Sequence, residues 1–104
     1  MTIATSNVST TTSSVYTSSG NTAITWLSLT NYGVSNVTAN VHVVPSGETA
    51  NSVNTILASI QITTLDTYQL YAGAEKLLLS NGDTIQINAS ANSAIGAVTS
   101  YTTI

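Results

Sequence analysis

The sequence predicts an all-β fold: an antiparallel β-sandwich of about seven or eight strands, jelly-roll or immunoglobulin-like. Three observations predict it. Short runs alternate apolar and polar residues with a period of two. These runs are rich in Val, Ile and Thr, whose branched Cβ suits a pleated sheet. Turn-forming residues separate them at the roughly 8–12-residue spacing of sandwiches and barrels. No segment keeps a helical period over three turns.

The elements follow in order. Residues 10–20, TTTSSVYTSSG, are almost all Ser and Thr, with one apolar pair, Val15-Tyr16, at the centre. Residues 22–30, TAITWLSLT, read as a strand with Ala23, Thr25, Leu27 and Leu29 on one side and Ile24, Trp26 and Ser28 on the other. Asn31-Tyr32-Gly33 reads as a turn. Residues 37–44, VTANVHVV, alternate cleanly: Val37, Ala39, Val41 and Val43 face inward, Thr38, Asn40 and His42 outward. Pro45-Ser46-Gly47 ends that strand, because Pro cannot continue a ladder. A polar loop, 48–55, leads to ILASIQI, residues 56–62, with Ile56, Ala58, Ile60 and Ile62 expected on one face. Residues 66–71 form another short strand, broken by Ala72-Gly73-Ala74. Asn81-Gly82 is the strongest short-range hairpin signal in the chain. It predicts that residues 76–80 pair with residues 84–89, with Ile85, Ile87 and Ala89 inward. Residues 95–104 form the last strand.

Composition narrows the function. Charged residues make up 5% of the 104, against roughly 25% in an average domain. They are Glu48, Asp66, Glu75, Lys76 and Asp83. Nucleic-acid binding needs several Lys or Arg to neutralise phosphates, so neither nucleic acid nor an anionic membrane surface is an expected partner. Ser, Thr and Asn supply roughly two residues in five, far above ordinary usage, and hydrate the surface in place of charge. Cysteine is absent, which removes disulfides, thiolate metal sites and Cys nucleophiles. No basic, apolar leader opens the chain, and no apolar run reaches a membrane span. Folding in a cytoplasm is the expectation, with the sequons at Asn7, Asn36 and Asn88 left unglycosylated.

No catalytic constellation is legible, and neither a cofactor nor a metal is expected. Nucleophilic catalysis needs a Ser, Cys or Thr beside a positioned base. The sole imidazole, His42, sits mid-strand on the polar face and reads as a surface or interface residue. The carboxylates are scattered, and Asp66 and Asp83 lie where Asp caps turn amides. The best cation window, Ser80-Asn81-Gly82-Asp83, holds one carboxylate where Ca²⁺ gathers several. Tyr16, Trp26, Tyr32, Tyr68, Tyr71 and Tyr101 are available for a sugar platform. An exposed Trp26 in one plane with Tyr32 or Tyr71 is the arrangement that favours one, although Trp26 in so apolar a strand reads first as core.

Several segments together carry a resemblance. They are Ser14-Val15-Tyr16-Thr17, Asn21 to Thr25, Val41-His42-Val43-Val44-Pro45, Glu75 to Leu79, Asn81 to Ile87, and Ser100-Tyr101-Thr102-Thr103-Ile104. The chain resembles the small β-sandwich virion proteins of tailed bacteriophages, including those of marine and cyanobacterial phages. The resemblance implies a non-enzymatic structural protein of the virion, one that decorates or cements the capsid. It also implies other virion proteins as partners, including the major capsid protein, and a homo-oligomer. A tail, neck or baseplate component is the alternative, and a carbohydrate-binding module at a fibre tip another. Residues 1–20 are expected to be an arm or edge strand held by a neighbouring subunit, with Val15 and Tyr16 as its interface anchors. Residues 21–104 are expected to be the sandwich itself.

Overall fold

Alternation at period two gives each strand one dry face and one wet face, and two such sheets bury their dry faces together. A computed structural model describes residues 2–70 and 77–104 of the chain and has this arrangement. Its strands are β1 (Thr2–Val8), β2 (Ser13–Thr17), β3 (Thr22–Asn31), β4 (Val37–Val44), β5 (Thr55–Ile62), β6 (Thr67–Leu70), β7 (Leu77–Leu79), β8 (Thr84–Ala89) and β9 (Ile95–Thr103). One 3₁₀ turn, Ser52–Asn54, precedes β5.

The first sheet runs β1-β9-β3-β6, with β7 also on β3; the second runs β2-β8-β4-β5, and all pairs are antiparallel. β6 and β7 lie end to end along one edge of β3, opposite Leu27–Thr30 and Thr22–Ile24 respectively. Counted as one interrupted strand, they make the order nested. First pairs with last, second with second-last, third with the β6–β7 edge, and fourth with fifth. That is a jelly roll, a double-sheet architecture of eight strands, and it selects between the two topologies that the sequence leaves open.

Ile24, Leu27, Leu29, Val41, Ile85, Ile87 and Ile95 are fully buried between the sheets. Tyr16 of β2 meets Tyr101 of β9 across the sandwich, ring centroids 4.4 Å apart. The Tyr16 hydroxyl donates to Thr22 Oγ1 at 3.3 Å, so the buried phenol is satisfied.

Three expectations are corrected. The hairpin of residues 76–80 with 84–89 does not form. Leu77–Leu79 pair with β3, whereas β8 is flanked on both sides by β2 and β4 and has no free edge to offer. Asn81-Gly82 does turn the chain, with Gly82 at φ +88 and the Asp83 N–H donating to Ser80 O at 3.1 Å, but the turn crosses from one sheet to the other. Lys76 lies outside the described residues.

The second correction concerns residues 1–20. Of the two alternatives, arm or edge strand, they form edge strands, and of this chain's own sheets: β1 is an edge of the first sheet and β2 an edge of the second. Val15 and Tyr16, the expected interface anchors, are buried in this chain's own core at 8% and 9% exposure. They are consumed within the domain.

The third concerns side-chain direction, which bulges reset. A register shift between Ile24 and Trp26 makes Thr25 the extra residue. Ile24 thereby turns into the core, and Trp26 turns out, half-buried. In β5, Ser59 at φ +51 is a second bulge. It places Leu57, Ile60 and Ile62 opposite Val41, Ala39 and Val37, and leaves Ile56 and Ala58 exposed.

Candidate functional site

His42 is not a surface residue. It is 9% exposed, beneath the loop between β4 and β5. Its Nδ1 lies 2.9 Å from Thr55 Oγ1 and 3.2 Å from Asn51 O, and the Thr55 hydroxyl donates to Asn51 O at 2.8 Å. The hydroxyl has one proton, and a carbonyl only accepts. An Nδ1–H shared between Thr55 Oγ1 and Asn51 O satisfies all three contacts at once. The imidazole acts as a latch for the loop. Asn51 caps the 3₁₀ turn in the same loop, accepting from the Val53 N–H at 2.8 Å while its own N–H donates to Asn54 Oδ1 at 3.0 Å.

The carboxylates also hold backbone. Asp83 accepts from the Ser80 N–H at 2.8 Å and the Ser46 N–H at 2.9 Å, so one side chain ties the inter-sheet turn to the end of β4. Asp66 accepts from the Thr67 N–H at 2.8 Å. Among the described residues, no three His, Cys, Asp or Glu side chains gather into a group that could hold a metal.

The surface with binding chemistry is the outer face of the first sheet. Register places its outward residues in rows. Ile3, Ser100 and Trp26 lie side by side; next come Thr5, Val98, Ser28 and Gln69; then Asn7, Gly96, Thr30 and Thr67. The central strand, β9, thus presents only Ser100, Val98 and Gly96 here, between larger side chains at one end. Tyr32 closes the other end. Its ring lies against Gly96, where an added Cβ would sit 3.9 Å from Cδ2 and Cε2. Its hydroxyl donates to Asn7 Oδ1 at 2.7 Å, which fixes the ring although half its surface is exposed. Thr5, Ser6, Asn7, Tyr32 and Gly96 border an open hollow of about 400 Å³. None of the outward strand residues in these rows is charged. The face therefore offers two aromatic rings and a field of hydroxyls and amides.

The sequence suggests Trp26 with Tyr32 or Tyr71 as a sugar platform. The structure puts Trp26 and Tyr32 on one face, about 13 Å apart along the sheet by the four-residue step from Ser100 to Gly96. Tyr71 lies outside the described residues. Asn7, Gly96 and Ser100 carry no signal of their own in the sequence; only the β1–β9–β3 register brings them between the two rings. Comparisons of this chain with family models, with curated proteins and with solved structures returned no match.

Proposed function

We propose that this chain is a non-enzymatic structural protein of a tailed-phage virion, a jelly-roll unit that decorates or cements the capsid. The observation that carries the reading is the nested strand order, 1-9-3-6 and 2-8-4-5. Double-sheet jelly rolls serve in viral capsid and lectin domains, an analogy of fold. A surface built from Ser, Thr and Asn instead of charge supports it. Such a surface keeps its contacts in salty water, where ion pairs are screened. Attachment to the tail, neck or baseplate is the neighbouring assignment. The test is purification of intact particles followed by protein identification and reconstruction. The chain is expected at fixed copy number on the capsid shell. Its absence from density-purified particles ends the reading, and density on the tail moves it there.

A second reading is favoured by one observation: Trp26 leaves the core and shares an uncharged outer face with Tyr32. Aromatic rings beside aligned hydroxyls and amides suit a neutral glycan, whose apolar C–H face stacks while its hydroxyls exchange hydrogen bonds. Glycan-array binding by the purified protein, weakened at least about tenfold in Trp26→Ala and in Tyr32→Ala, is the expected result. No binding across neutral glycans removes this reading.

A further inference from the structure

The four sheet edges are not alike. β2 is five residues long and carries a register shift between Ser14 and Tyr16. β5 carries two register shifts, one of them at the left-handed Ser59. Among the described residues, the remaining edge consists of two short strands, β6 of four residues and β7 of three. Short, bulged or interrupted edges cannot template a neighbouring strand, and proteins use such devices to prevent pairing. β1 has none of them. Its seven residues, TIATSNV, run in unbroken register from Thr2↔Tyr101 to Val8↔Ile95. They include no Lys, no Pro and no charge, and Thr2, Ile3, Thr5 and Asn7 are exposed. Among the described residues, β9 is the only strand with which β1 pairs. Backbone N–H and C=O groups of alternate residues therefore point outward along a straight edge.

We propose that β1 pairs antiparallel with β1 of a second copy of this chain, joining two first sheets into one continuous sheet. The occupant follows from symmetry and charge. A strand paired antiparallel with its own copy is two-fold symmetric, so the contact closes on itself as a dimer and cannot propagate. Self-pairing places each side chain opposite one from the same segment. An uncharged segment meets no like-charge repulsion there. Full overlap puts Thr5 on the two-fold axis, opposite Thr5 of the second copy, with Cα atoms about 4.5–5.5 Å apart. That register keeps outward side chains on one face and extends the surface of Trp26 and Tyr32 across both copies. The pairing stands on edge geometry alone and is independent of any place in a virion.

The chain has no cysteine, so an introduced one reports unambiguously. Thr5→Cys brings two thiols within disulfide reach across the axis. Gln61→Cys on the exposed edge β5 is the control. Sedimentation of the wild-type protein is expected to show a species of twice the 10.7 kDa chain mass. Mild oxidation is expected to link Thr5→Cys and leave Gln61→Cys unlinked. Thr5→Lys, which sets two cations face to face, is expected to sediment as a monomer with unchanged circular dichroism. A wild-type monomer well above micromolar concentration overturns the proposal. So does a dimer that links through Gln61→Cys and not Thr5→Cys, or one that Thr5→Lys leaves intact. Should Thr5→Lys fail to fold, the linking pattern of the two cysteine variants decides.

Discussion

At the scale of single residues, backbone conformation and buried amides set the sensitive positions. Gly20 and Gly82 both adopt positive φ, +71 and +88, but their surroundings differ. A Cβ at Gly20 meets nothing, whereas one at Gly82 would lie 2.6 Å from Ser46 Oγ and 3.0 Å from Ser46 Cβ. Gly20→Ala should therefore cost about 1–2 kcal/mol, the left-handed term alone. Gly82→Ala should cost more and also displace Ser46, whose N–H binds Asp83. Urea midpoints of the two variants, compared side by side, check the order. Asn31, fully buried, donates through Nδ2 to Ser35 O at 2.8 Å and Ile62 O at 2.9 Å, and accepts the Gly33 N–H at 2.9 Å. In Asn31→Asp an oxygen replaces Nδ2 and faces both carbonyls. Ionisation is then opposed in the folded state, so the folded pKa rises above the unfolded value of about 3.9. Stability of this variant must fall as pH rises through about 3.9 toward the raised folded value, then stay low. Its deficit against wild type is expected to be smaller at pH 3 than at pH 7 by denaturant titration; an equal or inverted gap refutes the role assigned to Nδ2.

At the scale of elements, the strands were legible in the sequence and their bulges were not. Residues 37–44 and 84–89 coincide with β4 and β8. Clean alternation matches one buried face throughout β8, whereas in β4 it holds from Val37 to Val41 and then breaks, with His42 and Val44 buried and Val43 half-buried. In β3 and β5 the alternation was misread, since one extra residue flips every later side chain to the other face. Only Asn40 hints at the second bulge: its Oδ1 accepts the Ser59 N–H at 2.8 Å, while Nδ2 donates to Asn88 Oδ1 at 2.8 Å. Asn88 in turn donates to Thr12 Oγ1 at 2.7 Å, so a row of amides crosses the outer face of the second sheet. A one-residue insertion opposite an Asn is not a pattern that periodicity can reveal. The candidate site depended on the same device, since Trp26 reaches the outer face only through the bulge at Thr25. Asn81-Gly82 was read correctly as a turn and wrongly as a hairpin, because local turn chemistry does not say whether the next strand's edge is already taken. Two substitutions test the Ser59 bulge. Ser59→Gly relieves its left-handed φ and should stabilise by up to about 1 kcal/mol. Asn40→Ala removes the acceptor of the exposed bulge amide and should destabilise by about 0.5–1.5 kcal/mol. Melting curves read both, and opposite signs are required.

At the scale of the whole molecule, nesting makes the termini structural. Thr2 pairs with Tyr101 and Thr22 with Thr103, so the outermost pair closes only when both ends of the chain meet. Such non-local closure makes folding slow compared with helical proteins of this size. It also explains why so polar a segment is ordered. Residues 2–17 gain main-chain pairing along β9 and β8, and contribute Val8, Val15 and Tyr16, at 1%, 8% and 9% exposure, to the core. Each of these side chains is worth about 1.5–3 kcal/mol of burial. Together that is comparable to the roughly 5–15 kcal/mol by which small domains are stable at all. Deletion of residues 1–17 should therefore abolish the cooperative transition and the near-ultraviolet circular dichroism of the buried tyrosines. It should not yield a folded sandwich lacking an attachment arm. Removal of residues 1–8 alone should be milder in burial, losing Val8 but keeping Val15 and Tyr16. It exposes the nine-residue β9 as a new flat edge, so aggregation is the expected outcome. A truncated chain that still melts cooperatively as a monomer would place the stability of this fold in β3, β4, β8 and β9 alone.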